Sequence, residues 1–143
     1  MTIAKKIRSI EIYMGKLRHG SDLLEELGLF CLKQGIQLGR VEAIGAVQNA
    51  RLGYYDQQTR QYQFLVLNEE FEITKLNGNV SLKDGKPFVH AHVTIADESG
   101  KCYGGHLAPG TMVYACEFIM EAFEGPIFER VSDEKTGLPL WNI

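Results

Sequence analysis

The sequence predicts an α+β fold, with one principal helix near the amino terminus and a mainly antiparallel sheet of about seven or eight strands. Three observations predict it. Apolar residues recur at helical spacing in one window, between positions 22 and 34. From Gln37 onward, short alternating segments are separated by turn signals such as Asp84-Gly85. Finally, 143 residues suffice for one core, and no repeat or linker divides them. The expected organisation is one domain over 1–143, with a core at about 7–122 and a C-terminal extension at 123–143.

Ile7 to Met14 alternates around Ile10, Ile12 and Met14 and reads as the first strand. A loop from Gly15 to Gly20 follows. Asp22 with Glu25 resembles a capping box, with Ser21 as an alternative cap. Leu23, Leu24, Leu27, Phe30 and Cys31 then make an apolar helical stripe that Gly35 ends. Gln37–Ala46 and Ala50–Tyr55 read as two strands, and Asp56-Gln57-Gln58-Thr59 turns into a third at Gln61–Leu67. Phe71–Leu82 is a long strand in which Gly78 suggests a bend or bulge. Phe88–Ala96 and Lys101–His106 form a hairpin around the turn at Asp97 to Gly100. Met112–Phe123 suits strand or helix, with Val113, Tyr114 and Phe118 favouring strand. The tail from Gly125 is mixed, with a surface turn at Asp133 to Gly137.

Apolar residues make up 45% of the chain and charged residues 23%, an ordinary globular balance. The net charge of -3 argues against a dedicated nucleic-acid surface, where clustered Lys and Arg supply the affinity. Lys5, Lys6 and Arg8 make a small basic group at the amino terminus, and the remaining cations are scattered. The three cysteines are odd in number and form no CxxC pair, so reduced thiols in the cytoplasm are expected. No apolar run reaches the roughly 18–20 residues that a membrane-spanning helix needs.

Three of the four histidines fall close together: His90, His92 and His106. Alternation along a strand puts His90 and His92 on one face, with Val89, Ala91 and Val93 facing a core. A three-residue loop, Glu98-Ser99-Gly100, pairs Asp97 with Lys101, and counting back sets His92 opposite His106. One hairpin would then present three imidazoles, a ligand set for zinc first, with nickel, iron or copper also suited. A register slip of one residue would turn His106 away. Ligation by neutral imidazole predicts metal affinity that falls as pH drops through roughly 6–7. Gly104 and Gly105 mark a close approach to the backbone. Cys102 shares the histidine face and is a conceivable fourth ligand; Glu117 and Glu121 are candidate acids beside an apolar stretch. His19 reads as an exposed loop residue, and Cys31 as core.

These segments resemble a known family. Ala43-Ile44-Gly45-Ala46 and Gly53-Tyr54-Tyr55-Asp56 resemble its early strand pair, and Phe71-Glu72-Ile73 with Leu76-Asn77-Gly78-Asn79-Val80-Ser81-Leu82 its central strand. Asp84-Gly85-Lys86-Pro87-Phe88-Val89-His90-Ala91-His92-Val93, followed by Gly104-Gly105-His106-Leu107, resembles its signature. The family is the plant and prokaryote conserved (PPC) domain, which stands alone in prokaryotes and is fused to AT-hook segments in plants. The resemblance implies an antiparallel α+β fold, a homotrimer, and His90, His92 and His106 as the family's histidine cluster. Plant members are associated with DNA through the AT-hook, and no Arg-Gly-Arg-Pro core occurs here.

No nucleotide-binding glycine loop, GxSxG or HExxH motif is present. The first functional reading is therefore a non-enzymatic trimeric module that binds a metal or small ligand, with a protein or small-molecule partner. A DNA-associated regulator and a metal-dependent enzyme are the two others; the enzyme reading lacks a general base beyond Glu117.

Overall fold

The computed structural model describes residues 2–143. The elements run β1 (Arg8–Leu17), α1 (Leu23–Gln34), β2 (Gly39–Asp56), β3 (Gln61–Leu67), β4 (Phe71–Lys83), β5 (Lys86–Ala96), β6 (Cys102–Leu107), β7 (Met112–Glu124), β8 (Arg130–Ser132) and β9 (Pro139–Trp141). Seven strands form one antiparallel sheet in the order β1-β7-β2-β4-β5-β6, with β3 beside β2, while β8 and β9 form a small hairpin. The architecture is the expected α+β arrangement.

Asp22 caps α1, accepting from the backbone N–H groups of Leu24 and Glu25 at 3.0 Å each. Ser21 does not cap; its hydroxyl donates to the Arg18 carbonyl. Gly35 ends the helix in the left-handed conformation, with φ at 68°. Leu23, Leu27 and Cys31 are fully buried, and α1 packs on β1 and β5. No helix among the described residues is long and apolar enough to cross a membrane.

The two strands expected at 37–46 and 50–55 are one continuous strand, β2, of 18 residues. It serves four neighbours. Residues 39–47 pair with β4 and residues 50–56 with β3, along the same edge. The opposite edge takes β7 and then β6 through Leu52↔Leu107 and Gly53↔His106. Because β4, β5 and β6 also pair in sequence, the sheet curls until β6 meets β2, closing a small barrel. Ile95, Leu76, Val80, Val41 and Met120 fill it and are fully buried, each contributing about 1.5–3 kcal/mol by leaving water.

The expected bulge at Gly78 is displaced. Gly78 lies in a regular stretch opposite Ala91, where a Cβ would come 2.7 Å from the His90 carbonyl oxygen. The irregularities fall at Ile44 and Thr74 instead. Gly45 follows Ile44 with φ at 144°, and any Cβ there would come 2.1 Å from the Ala115 carbonyl oxygen. The ambiguous segment at 112–123 is strand β7, alternating Val113, Cys116, Phe118 and Met120 inward, with a shift near Ala46 and Val47.

The tail is a structured strap. Leu82 donates to the Phe128 carbonyl at 2.9 Å, anchoring it to β4. At its far end the Tyr55 hydroxyl donates to the Thr136 carbonyl at 2.8 Å, and Arg60 donates to the Glu134 and Lys135 carbonyls. Residues 126–141 thereby bridge from β4 to the β2–β3 hairpin, passing over the histidine-bearing face.

Candidate metal centre

The β5–β6 turn sets the register that brings the histidines together. The Asp97 amide donates to the Lys101 carbonyl at 3.0 Å, and the Gly100 amide to the Asp97 carbonyl at 2.9 Å. Gly100 takes the positive φ of 80° that the last loop position requires. Ala96 then pairs with Cys102 and His92 with His106, as the hairpin count expects. His90, two residues back on β5, shares their face.

The three rings form a triangle, with centroids 5.2 Å (His90–His92), 5.1 Å (His90–His106) and 5.5 Å (His92–His106) apart. One ring nitrogen from each lies within 4.8 Å of the others. A tetrahedral zinc with bonds near 2.0–2.1 Å holds its nitrogens roughly 3.3 Å apart, so modest side-chain rotation closes the set. Among the described residues, His106 Nδ1 is the one buried side-chain nitrogen or oxygen without a hydrogen-bond partner. An orphaned buried nitrogen is costly, and in the tautomer that leaves Nδ1 its lone pair a cation would satisfy it. The donor set and this orphan fit a small transition-metal ion.

Burial keeps the site uncharged by making its imidazoles weaker bases. His90 is lowered to about 4, first by burial and then by the neighbouring Arg130 charge, with His106 and His92 adding to it. His106 is also lowered, by burial, His92 and Arg130. Two of the three imidazoles thus stay neutral below the range expected from sequence alone, and protons compete less with a metal there. The same shift bears on stability. A base with a depressed folded value resists a proton that the unfolded chain accepts below about pH 6.5. Stability is therefore lost as pH falls from about 6.5 toward 4. Thermal melts of metal-free protein should show this loss reduced in His90→Gln; parallel pH profiles for the two proteins would overturn the assignment.

Residues from distant segments complete the cleft, of about 540 Å³. Tyr62 of β3 lies against His106, with centroids 5.0 Å apart. Gly53, paired with His106, makes room for that ring, since a Cβ would come 3.1 Å from Tyr62 and 3.4 Å from the His106 Cβ. Arg130, on the strap, is only 8% exposed. It donates from Nε to Ser81 Oγ at 2.9 Å, from Nη1 to the Pro139 carbonyl at 2.9 Å, and from Nη2 to Asn79 Oδ1 at 2.7 Å. Its Nη2 also lies 3.5 Å from His90 Nδ1.

Other candidates lie elsewhere. Cys102 is exposed, opposite Ala96 and outside the histidine group. Glu117 and Glu121 point outward from β7, and Glu121 accepts from Arg40 Nε at 2.6 Å. Cys31 is buried, its thiol pushed up to about 12 by burial. His19 Nδ1 sits 2.8 Å from the Tyr114 carbonyl. The close approach expected at Gly104-Gly105 is the barrel closing on itself: a Cβ on Gly105 would come 2.8 Å from the Gly53 carbonyl oxygen.

Fold and site together define a small closed-sheet domain with a strand-borne histidine cluster. The chain belongs to the Plants and Prokaryotes Conserved domain family, whose description matches residues 5–124. It superposes on the metal-containing protein of Archaeoglobus fulgidus with a TM-score of 0.93 at 40% identity, covering 98% of this chain and 99% of that one. A PPC protein of Pyrococcus horikoshii matches with a TM-score of 0.93 at 34% identity, covering 99% and 98%. Among curated proteins, the bifunctional protein GlmU of Synechococcus sp. strain JA-3-3Ab is 37% identical over 131 residues, 90% of this chain. The chain spans 20% of the length of that relative.

Proposed function

We propose that this domain is a non-enzymatic, homotrimeric module that binds one transition metal, zinc first, through His90, His92 and His106. The observation that carries the reading is the triangle of ring nitrogens within 4.8 Å, one histidine of which buries an unpartnered Nδ1. The metal-containing description of the Archaeoglobus relative supports it. Three neutral ligands would leave a bound ion a Lewis-acid position open to a further ligand. The residues of this chain hold the imidazoles in place through the β5–β6 register and roof them with Tyr62 and the strap.

The trimer is supported by the outward face of β1, β7 and β2. Ile12 (65% exposed), Met14 (82%), Ile44 (57%) and Ile119 (43%) sit there in adjacent register. Met14, Ile44 and Ile119 line a cleft of about 530 Å³ with Phe118, rimmed by Lys16, Glu42, Lys75 and Glu117. Exposed apolar side chains grouped in this way, with charged residues at the rim, mark an interaction surface. One experiment addresses both parts: elemental analysis with mass under native conditions, on wild type and on the His90→Ala/His92→Ala/His106→Ala variant. About one metal per chain is expected in the wild type and none in the variant, both at three times the chain mass. Metal-free wild type would refute the site, and a monomeric mass would refute the assembly.

A further inference from the structure

The cleft is positively charged with nothing in it to balance the charge. Arg130 is more than nine-tenths buried, yet among the described residues its partners within hydrogen-bond reach are neutral: Ser81, Asn79, the Pro139 carbonyl and His90. The ion pairs of the described residues all lie elsewhere, on Arg8, Arg18, Arg40 and Lys75. Lys83 adds a second cation to the cleft wall, where no Asp or Glu stands among the lining residues. A buried charge without a counter-charge is costly. A divalent cation on the three imidazoles would add to that cost, because Arg130 already touches His90.

We propose that the cleft takes its metal together with a small oxyanion, a carboxylate or a phosphate, whose charge is balanced by Arg130 and Lys83. This rests on the metal reading above. The guanidinium is prepared for the role. Of its five N–H groups, one on Nη1 has no partner and one on Nη2 makes only the long 3.5 Å contact to His90. A neutral imidazole has one lone pair, so a His90 that ligates through Nδ1 releases that second hydrogen as well. The three anchoring bonds keep the fork from swinging into solvent. Around it, Tyr62, Phe88, Leu138 and Leu140 supply apolar walls, and the space exceeds what a bare ion needs. The cleft therefore has room for an anion that carries a small organic body.

The coupling is reciprocal, and that makes it testable. Cobalt(II) is titrated into metal-free protein, with absorbance as the readout, alone and with acetate, benzoate or inorganic phosphate. Each effective anion should tighten cobalt binding about ten-fold. Calorimetry should show that anion binding cobalt-loaded protein more tightly than metal-free protein by the same factor, which separates site binding from complexes formed in solution. In Arg130→Met the anion effect should shrink to within about two-fold, while cobalt alone binds at least as tightly as before. Lys83 is exposed, so Lys83→Met supplies a second variant whose folding is not in question, and its anion effect should be reduced. A response to phosphate alone, or to the carboxylates alone, upholds the proposal and identifies the anion. Cobalt binding indifferent to all three anions overturns this proposal and leaves the metal site standing. No cobalt binding at all overturns both.

Discussion

Replacing His92 by alanine lowers metal affinity by at least about a hundredfold, while replacing His19 leaves it unchanged. Loss of a residue that merely orients a ligand costs 10–100-fold in metal sites, so loss of one ligand in three costs at least the upper end. His92 suits the test because it is exposed and sits at the surface end of the triangle. Its removal leaves no cavity in the core and breaks no recorded hydrogen bond, so a fall in affinity is not a fall in folding. His19 is the matched control, held by the Tyr114 carbonyl and edge-on to the Tyr114 ring at 5.4 Å. Competition against a chelator of known affinity reads both variants. Equal losses would mean that the metal binds nonspecifically, and the triangle would lose its assignment.

What could be read from the sequence was local, and what could not was carried by long-range contacts. Asp22 and Gly35 bound the helix because capping and left-handed termination act within a few residues. The histidine register followed from one loop, because Gly100 dictates a hairpin type and the strand period of two does the rest. The break expected between Ala46 and Ala50 is absent: the strand runs through and exchanges partners there, from β7 at Asn49 to β6 at Leu52. No local pattern records that β6 takes over from β7 along that edge. Arg130 was missed for the same reason. It is one cation in a mixed tail, and its importance comes from Ser81 and Asn79, roughly fifty residues earlier. The one available signal was in the neighbouring strand: Asn79 and Ser81 alternate on the face of β4 that pairs with His90 and Phe88. Polar residues beside an imidazole cluster need a partner.

The closure of the barrel is what ties stability to the site, and Gly105 tests that link. Leu52↔Leu107 and Gly53↔His106 are the β2–β6 pairs, and Gly105 lies one residue away. An alanine methyl there would come 2.8 Å from the Gly53 carbonyl oxygen and 3.4 Å from the Leu52 side chain. Neither neighbour can yield easily, since the first is backbone and Leu52 is 2% exposed. Gly105→Ala should therefore push β6 off β2, at a cost of about 3 kcal/mol, or roughly a 10 °C fall in Tm. His106 travels with β6, so the same substitution should weaken metal binding although it alters no ligand. Gly104→Ala is the comparison. Its methyl would meet the Val93 carbonyl oxygen at 3.3 Å and the Thr94 hydroxyl at 3.5 Å, contacts that lie on the β5 side. It should cost less stability and leave the β2–β6 seam intact. Thermal unfolding and cobalt affinity measured on both variants distinguish a seam that positions His106 from two glycines that are merely weak points in a strand. In the second case the two variants would behave alike.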